Sequence, residues 1–499
     1  MAALPAFAHD PALPDERTCE QARLSRDARF DGLFFTAVTS TRIYCRPVCP
    51  APTPRRENIV YFAHAAAAEA AGFRPCLRCR PELSPADGTW RRGDAAVSRA
   101  LALIDEGALV DGDAAALAAR VGLGERQLRR VFVERLGATP HGVHGTRRLL
   151  FAKQLLAETA LPVTEVALAA GFNSLRRFNS AFAEAYRMAP RDVRRQARVG
   201  GDDALRLRLA YRPPYDLAAL LAFLRARTLP GVDEAGEAHY ARTLRLGDGA
   251  AASLRVTPLP GETALQLELR GVPPVELLGV VQRVRRMFDL DADPAAVRAV
   301  FEPDALLGPC VRAWPGLRVP GGFDGFEVAV RAVLGQQVSV AAARTLAARL
   351  VARHGQAIEA PNADGLTHVF PTAAALADAD LASLGLTCTR AETVRGVARA
   401  LVDGRVSLAG AQPLDAFVDA WTKLPGIGPW TAHYIAMRAL GHPDAFCADD
   451  LVLRRVAGAP GAPLTGRALE RRAHGWRPWR AYAVLHLWRA SSASTETPT

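Results

Sequence analysis

Leu424 to Arg455, LPGIGPWTAHYIAMRALGHPDAFCADDLVLRR, is the stretch that leaves this chain least freedom. It opens with a glycine-punctuated turn, Leu424-Pro425-Gly426-Ile427-Gly428, set between two helical patterns. Glycine lets the backbone bend tightly there, and the amide N–H groups at the start of the following helix are aimed outward, a geometry that suits a phosphate. A turn of this kind grips nucleic acid without reading bases. After the second helical pattern and a loop, the stretch ends in a carboxylate pair, Asp449 and Asp450.

LPGIG followed by an amphipathic helix, a loop and an aspartate resembles the helix-hairpin-helix DNA glycosylase superfamily, and FCADDLVLRR resembles its AlkA branch, the 3-methyladenine glycosylases II. The resemblance implies that Asp450 is the catalytic carboxylate, that Asp449 is its neighbour or a helix cap, and that Gly426 and Gly428 hold the DNA backbone. Members that also cut the strand carry a lysine two positions after the second glycine, where its amine forms a Schiff base with the sugar. Here that position is Trp430, which implies base removal only. The four-cysteine cluster of the iron–sulfur members is also missing after the hairpin, where Cys447 stands alone.

A chain of 499 residues has room for about three or four domains of roughly 100 to 200 residues each. Its 49% hydrophobic and 23% charged content excludes a disordered or fibrous class. Of the net charge of +11, residues 1 to 200 hold +8, from 29 Lys and Arg against 21 Asp and Glu, and this excess points to a polyanionic partner. The start, MAALPAFAHDPALPDER, lacks a basic n-region and is broken by Pro5, His9, Asp10 and Pro11, so it does not read as a secretory signal. No run of about 18 uncharged apolar residues offers a membrane span. Eight cysteines are too few for a disulfide scaffold, and a reducing cytoplasm is the expected compartment.

Four of those cysteines form Cys45-x3-Cys49 and, after 26 residues, Cys76-x2-Cys79, which reads as a tetrahedral Zn(2+) site. Cys19 reads as a buried thiol. The surrounding FFTAVTSTRIYCRPVCPA and AAGFRPCLRCRPE resemble the N-terminal domain of the Ada family of methylphosphotriester repair proteins over about 70 residues. That resemblance implies that Cys45 is both a zinc ligand and the nucleophile that accepts a methyl group from a DNA phosphate. Zinc keeps the thiol deprotonated, as attack on a methyl carbon requires. Four thiolates on Zn(2+) carry a formal −2, and methylating one leaves −1, so repulsion from the DNA backbone falls.

Arg80 to Asp94, rich in Pro, Gly and polar residues, reads as a linker, and helical periodicity resumes near Ala95. LAARVGLGERQLRRVFVERLGATP from Leu117 is then echoed by LAAGFNSLRRFNSAFAEAYRMAP from Leu168, Phe132 mapping to Phe182 and Pro140 to Pro190. Each copy reads as helix, turn at Gly122 or Gly171, and a second helix with one basic face. The tandem resembles the AraC-type DNA-binding domain, and its candidate base readers are Arg126, Gln127 and Arg130, then Ser174, Arg176 and Arg177. Leu128, Phe132, Leu168, Phe178 and Phe182 are core by spacing.

Gln196 to Ala204 is a second linker candidate. Beyond it LRLRLAY, TLRL, SLRVTPL and ALQLELRG alternate as strands around a helix at Tyr215 to Arg227, a block that resembles the N-terminal domain of AlkA and holds no catalytic constellation of its own. From Pro274 the pattern is helical apart from loops. FEVAVRAVLGQQVSVAAARTLAARLVARHG reads as one long helical region whose Gln336 and Gln337 match an AlkA segment that faces the minor groove. Gln337 stands where the family has a leucine wedge. Trp430, Tyr434 and Trp488 are expected to line the base pocket, where an electron-rich wall suits a cationic purine, and Trp479 to pack a core. The Pro-Cys-His-Arg site of a full-length Ada is absent.

The chain is therefore expected to be multidomain and mainly α: a small zinc-binding α+β domain at 1–83, an all-α tandem helix-turn-helix domain at 95–196, an α+β AlkA N-terminal-like domain at 205–272 and an all-α helix-hairpin-helix glycosylase domain at 274–490. The resemblance implies a monofunctional 3-methyladenine DNA glycosylase fused to an Ada-like sensor and transcriptional activator. The alternative is a damage-responsive regulator whose glycosylase half binds without cleaving. Implied partners are double-stranded DNA, as alkylated bases, methylphosphotriesters or promoter, and RNA polymerase, with no membrane and a monomeric state.

Overall fold

A computed structural model describes residues 13–85, 95–105, 107–110, 112–195, 204–358, 364–410, 412–459 and 461–496. The chain forms two compact units, one of Met1–Pro213, Leu259–Gln282 and Leu290–Ala292, the other of Pro214–Pro258, Arg283–Asp289 and Asp293–Thr499. None of the described helices is long and apolar enough to cross a membrane.

The first unit begins with a four-stranded sheet in the order Ile59–Phe62, Phe35–Val38, Ile43–Cys45, Arg74–Pro75. The central pairings are antiparallel, and the last strand lies parallel to its neighbour with Ile43 opposite Arg74 and Tyr44 opposite Pro75. Phe35, Tyr44, Phe62 and Phe73 form the core with the helix Ala65–Ala70. Ala65 to Ala68 are all buried, because methyl side chains let a helix lie close on a sheet. Cys19 is 1% exposed and burial pushes its thiol up to about 12, as expected of an inert packing residue.

Of the linker expected from Arg80 to Asp94, residues 86–94 lie outside the described residues, and 80–83 belong to the fold instead. Arg80 adopts φ 53°, Pro81–Leu83 form a 3-10 turn, and Glu82 is buried against Lys153 at 2.5 Å. Polar composition suggested a linker, but the carboxylate and both cations are consumed in one network, since Arg80 also reaches Glu158 at 3.1 Å. Lys153 and Glu158 lie on the helix Pro140–Glu158, which runs through the unit. Arg212, fully buried, donates to the carbonyls of Asp31 (2.8 Å), Asp291 (2.8 Å) and Ala292 (3.3 Å). Strands Leu205–Ala210 and Ala264–Arg270 pair antiparallel in this unit.

The two helix-turn-helix copies are the helices Ala114–Val121 with Glu125–Leu136, and Val163–Ala169 with Leu175–Tyr186. Gly122 and Gly171 turn with φ of +79° and +75°, and Pro140 and Pro190 each begin the next helix. Leu128, Phe132, Phe178 and Phe182 are 0% exposed, as expected, but Leu168 is 49% exposed. The second copy has one more residue in its turn, so before the turn the two copies align through Gly122 and Gly171. Leu168 then matches exposed Ala119, and buried Val166 matches buried Leu117. The linker expected at Gln196 to Ala204 lies outside the described residues over 196–203.

The second unit starts with the helix Leu217–Arg225 and the antiparallel strands Asp233–Ala235, Tyr240–Arg245 and Ala251–Pro258. The rest is helical apart from the short pair Gln356–Ala357 with His368–Val369. The long helical region is broken into Gly325–Leu334 and Val340–His354. Gln337 takes φ 56° and the Ser339 hydroxyl caps the second helix by accepting from the Ala342 amide at 3.2 Å, a local bond that competes with helix continuation. Trp479 is 5% exposed, in a core as expected.

Candidate functional site

In the second unit the helix Leu414–Trp421, the turn at Leu424 to Gly428 and the helix Pro429–Ala439 form the expected hairpin. Gly426 has φ +83°, and a Cβ there would meet the Thr393 hydroxyl oxygen at 2.1 Å, so conformation and space both demand glycine. Gly428 is the N-cap of the second helix with no side-chain cap, and it is exposed, which leaves the first amides open to an anion. The Gln336 amide turns inward, donating to the Gly426 carbonyl (2.9 Å) and the Thr431 hydroxyl (3.1 Å). It braces the turn. Gln337 is exposed.

The helix after the turn carries Trp430, Tyr434 and Arg438 at four-residue spacing, hence on one face. Trp430 and Tyr434 stack with centroids 5.2 Å apart and planes 10° apart, and Trp488 tilts toward Tyr434 at 6.5 Å. All three line a cavity of about 930 Å³, as does Asp450. The Trp430 indole N–H donates to Asp450 Oδ2 at 3.1 Å, and Asp450 Oδ1 accepts from the amides of Val452 (2.9 Å) and Leu453 (3.1 Å). Asp450 is thus itself the N-cap of the helix Leu451–Val456. Asp449, expected as a neighbour or a helix cap, is the exposed neighbour, and the cap is Asp450.

Two residues of this cavity, Arg227 and Arg438, were not among the expected site residues, and Arg227 gave no signal in the sequence around it. Arg227 comes from just past the helix Leu217–Arg225, some 200 residues before the hairpin. Arg438, by contrast, was readable from its spacing to Tyr434. It donates to the Tyr434 hydroxyl at 2.8 Å and to the Pro320 carbonyl. Burial acts to raise the Tyr434 hydroxyl, but Arg438 and Arg227 outweigh it and hold the group below the ordinary phenol value.

In the first unit, Cys45 ends a strand, Cys49 lies in the following turn, and Cys76 and Cys79 follow the strand paired beside it. Their sulfurs all lie within 4.8 Å of one another, Cys76 and Cys79 buried, Cys45 and Cys49 half-buried. The Arg46 and Arg78 amides donate to the sulfurs of Cys79 (3.3 Å) and Cys76 (3.4 Å). Such bonds favour thiolate. An all-sulfur donor set of this size fits Zn(2+), whose ligands in a tetrahedron stand about 3.8 Å apart.

Arg126, Gln127, Arg130, Arg176 and Arg177 are exposed at or near the starts of the two second helices, as base readers must be. Arg130 shares a surface pair with Glu134 at 3.7 Å. Ser174 is half-buried, and its hydroxyl accepts from the Arg177 amide at 3.4 Å as the helix cap.

Four family models match the chain in sequence order: the metal binding domain of Ada over residues 18–82, a helix-turn-helix domain over 117–196, the AlkA N-terminal domain over 206–324, and the HhH-GPD superfamily base excision DNA repair protein over 330–480. A probable bifunctional transcriptional activator/DNA repair enzyme AlkA of Mycobacterium tuberculosis is 39% identical over 482 residues, covering 95% of this chain and 96% of its own length. The chain belongs to this fused Ada–AlkA family. Within the family fusion, the AlkA part of this Ada–AlkA protein is 35% identical over 286 residues to DNA-3-methyladenine glycosylase 2 of Escherichia coli, covering 56% of this chain and 95% of the relative. The 3-methyladenine DNA-glycosylase structure of Archaeoglobus fulgidus superposes with a TM-score of 0.51 at 22% identity, over 58% of this chain and 99% of that one, which shows a shared fold. The Ada–AlkA fold is thus multidomain and mainly helical, with the Ada metal-binding domain accounting for the four cysteines.

Proposed function

We propose that the second unit of this Ada–AlkA protein excises N-alkylated bases from DNA, 3-methyladenine first, by hydrolysing the N-glycosidic bond without cutting the strand. The observation that carries this is a fixed carboxylate beside a stacked aromatic wall, next to a glycine turn that leaves helix amides open: Asp450, held at both oxygens, with Trp430 and Tyr434. The damaged nucleotide is flipped into the cavity and stacks on the rings. Alkylation at a ring nitrogen makes the base a good leaving group, so the protein mainly has to support an oxocarbenium-like sugar. Asp450 does so by its charge and orients the attacking water. Gly426 and Gly428 hold the phosphates, and Gln337 enters the gap left in the stack.

In the first unit, Cys45 takes a methyl from a DNA phosphotriester, with Cys45, Cys49, Cys76 and Cys79 holding Zn(2+), which supplies thiolate character when bound. The sulfur of Cys45 forms the new S–C bond, the methyl C–O bond breaks, and the phosphate diester leaves with its electrons. A thioether is a poor leaving group, so each molecule acts once. Arg126, Gln127, Arg130, Ser174, Arg176 and Arg177 form the promoter-reading surface.

The test of the glycosylase reading is release of 3-methyladenine from a methylated duplex with enzyme in excess, comparing the wild-type protein with Asp450→Asn. Release by the wild type alone supports it. Binding of the damaged duplex with no release by either leaves a damage-binding regulator in its place.

A further inference from the structure

The lining of the cavity around Asp450 carries more positive than negative side chains. Seven arginines line it against three carboxylates, Asp233, Glu327 and Asp450. Arg242 and Arg331 share one partner, Glu327, at 2.7 Å each, and among the described residues no carboxylate pairs with Arg227 or Arg438. Arg438 is 7% exposed, and its donors reach only Tyr434 and main-chain carbonyls. The guanidinium carbons of Arg227 and Arg438 lie 3.7 and 4.8 Å from the centroid of a single ring, Phe223. Two guanidinium groups therefore converge on one edge of the cavity with neutral partners only among the described residues.

A base alkylated at a ring nitrogen brings a further positive charge into this space. Repulsion at short range in a partly desolvated pocket is costly, and stacking on Trp430 and Tyr434 offsets only part of it. A lesion whose alkyl group ends in a carboxylate removes the conflict. Its ring cation lies against the aromatic wall, and its anion extends about 3 Å from the ring nitrogen on a one-carbon arm. Arg438 stands 5.6 Å from the Tyr434 centroid and donates to its hydroxyl, so a guanidinium lies along the wall on which the base would stack. Planar guanidinium groups bind carboxylate through paired donors.

We propose that the cavity is also a site for N-carboxyalkylated purines, with Arg227 binding the carboxylate of the lesion and the buried charge of Arg438 behind it. This rests on the glycosylase reading above and extends its substrate class. The bond chemistry is unchanged: water adds to the sugar C1′, the C1′–N bond breaks with its electrons going to the base, and a water proton goes to solvent.

The experiment uses the full chain in excess over duplex DNA treated with a diazoacetate, which installs carboxymethyl groups, with a diazoacetamide, which installs carbamoylmethyl groups, or with dimethyl sulfate, which installs methyl groups. Released bases are quantified by mass spectrometry, with Asp450→Asn as the blank. The wild type is expected to release 3-carboxymethyladenine faster than its uncharged isostere, 3-carbamoylmethyladenine. In Arg227→Met the ratio of carboxymethyl to methyl release is expected to fall about tenfold or more, the scale of a lost charge-assisted pair, and in Arg227→Lys to recover in part. The wild-type comparison needs no variant, so it decides the matter even if Arg227→Met does not fold. Equal release of the acid and the amide, or an unchanged ratio in a folded Arg227→Met, overturns the inference while methyl release keeps the glycosylase reading intact. Absence of all Asp450-dependent release overturns the glycosylase reading itself.

Discussion

Trp430 Nε1 donates to Asp450 Oδ2 at 3.1 Å across 20 residues of sequence, while the other oxygen of the same carboxylate caps a helix. One side chain thus terminates a helix, orients a carboxylate into a cavity and ties it to the aromatic wall. The helix cap fixes the backbone position, and the indole fixes the rotamer, so the charge is held before any substrate arrives.

Asp450→Asn keeps the cap, because asparagine is as good an N-cap as aspartate, and removes the charge. The expected result is a loss of about 100- to 10,000-fold in single-turnover release of 3-methyladenine with damaged duplex still bound. Asp449→Asn, on an exposed neighbour, is expected to stay near wild type. Near wild-type release by Asp450→Asn sinks the assignment.

Trp430, two positions after Gly428, offers no amine, and its indole nitrogen is already committed to Asp450. Abasic duplex mixed with the protein and borohydride is expected to give no covalent adduct, and product strands are expected to remain uncut until treated with alkali. A trapped adduct at the hairpin reverses that reading.

Gly426→Ala puts a methyl group within 2.1 Å of the Thr393 hydroxyl and forces φ +83° on a residue with a Cβ. A cost of about 1 to 3 kcal/mol at the turn follows. Affinity for undamaged duplex is expected to drop by at least about tenfold, read by fluorescence anisotropy, and Thr393→Ala is expected to restore part of it by opening space. Gly428→Ala, with nothing within 4 Å of its Cβ position and an ordinary φ of −92°, is the milder change.

The hairpin, the four cysteines and the repeated helix-turn-helix were legible because each is a local pattern with a fixed spacing, and local spacing survives folding unchanged. Leu168 was misread because one extra residue in a turn shifts the register of everything before it. Arg227 was invisible for another reason: it reaches the cavity from a different segment, and nothing about Phe223 to Arg227 in sequence says which residues far downstream it will face. Gln336 shows the limit from the other side. It was expected inside one long helical region, whereas it lies at the break between two helices, and the inward turn of its amide depends on Gly426 and Thr431.

His486 is 2% exposed, packs its ring edge-on against Phe301 at 6.0 Å, and is held down to about 4 by burial. Its folded value lies below the unfolded value of about 6.5, so the unfolded chain binds the extra proton. Stability from this group is complete above about pH 6.5 and is lost as the pH falls toward 4, at up to about 1.4 kcal/mol per pH unit and about 3 kcal/mol in all. Urea midpoints of the wild type are expected to fall over that window, and His486→Leu is expected to flatten the slope. A slope unchanged in the variant assigns the acid sensitivity elsewhere.

The four-cysteine cluster predicts a change of affinity from a change of charge. Taking a methyl onto Cys45 lowers the formal charge of the zinc-loaded cluster from −2 to −1, and one charge near a phosphate surface is worth about 1 kcal/mol in moderate dielectric, or about fivefold in binding. Cys45 is half-buried at a strand end, whereas Cys76 and Cys79 are buried, so the cluster offers the alkyl donor Cys45 before either of them. The protein is treated with methylphosphotriester DNA, a single added methyl is mapped by peptide mass spectrometry, and promoter DNA is titrated at fixed salt before and after. Affinity is expected to rise in the wild type and to stay unchanged in Cys45→Ser, which retains three sulfur ligands, and the gain is expected to shrink as salt is raised because its origin is screened. Release of 3-methyladenine is expected to be the same before and after methylation, since the Asp450 carboxylate is held by Trp430, Val452 and Leu453 of its own unit. A methyl mapped to another cysteine, or an affinity that does not move, leaves the cluster with a purely structural role.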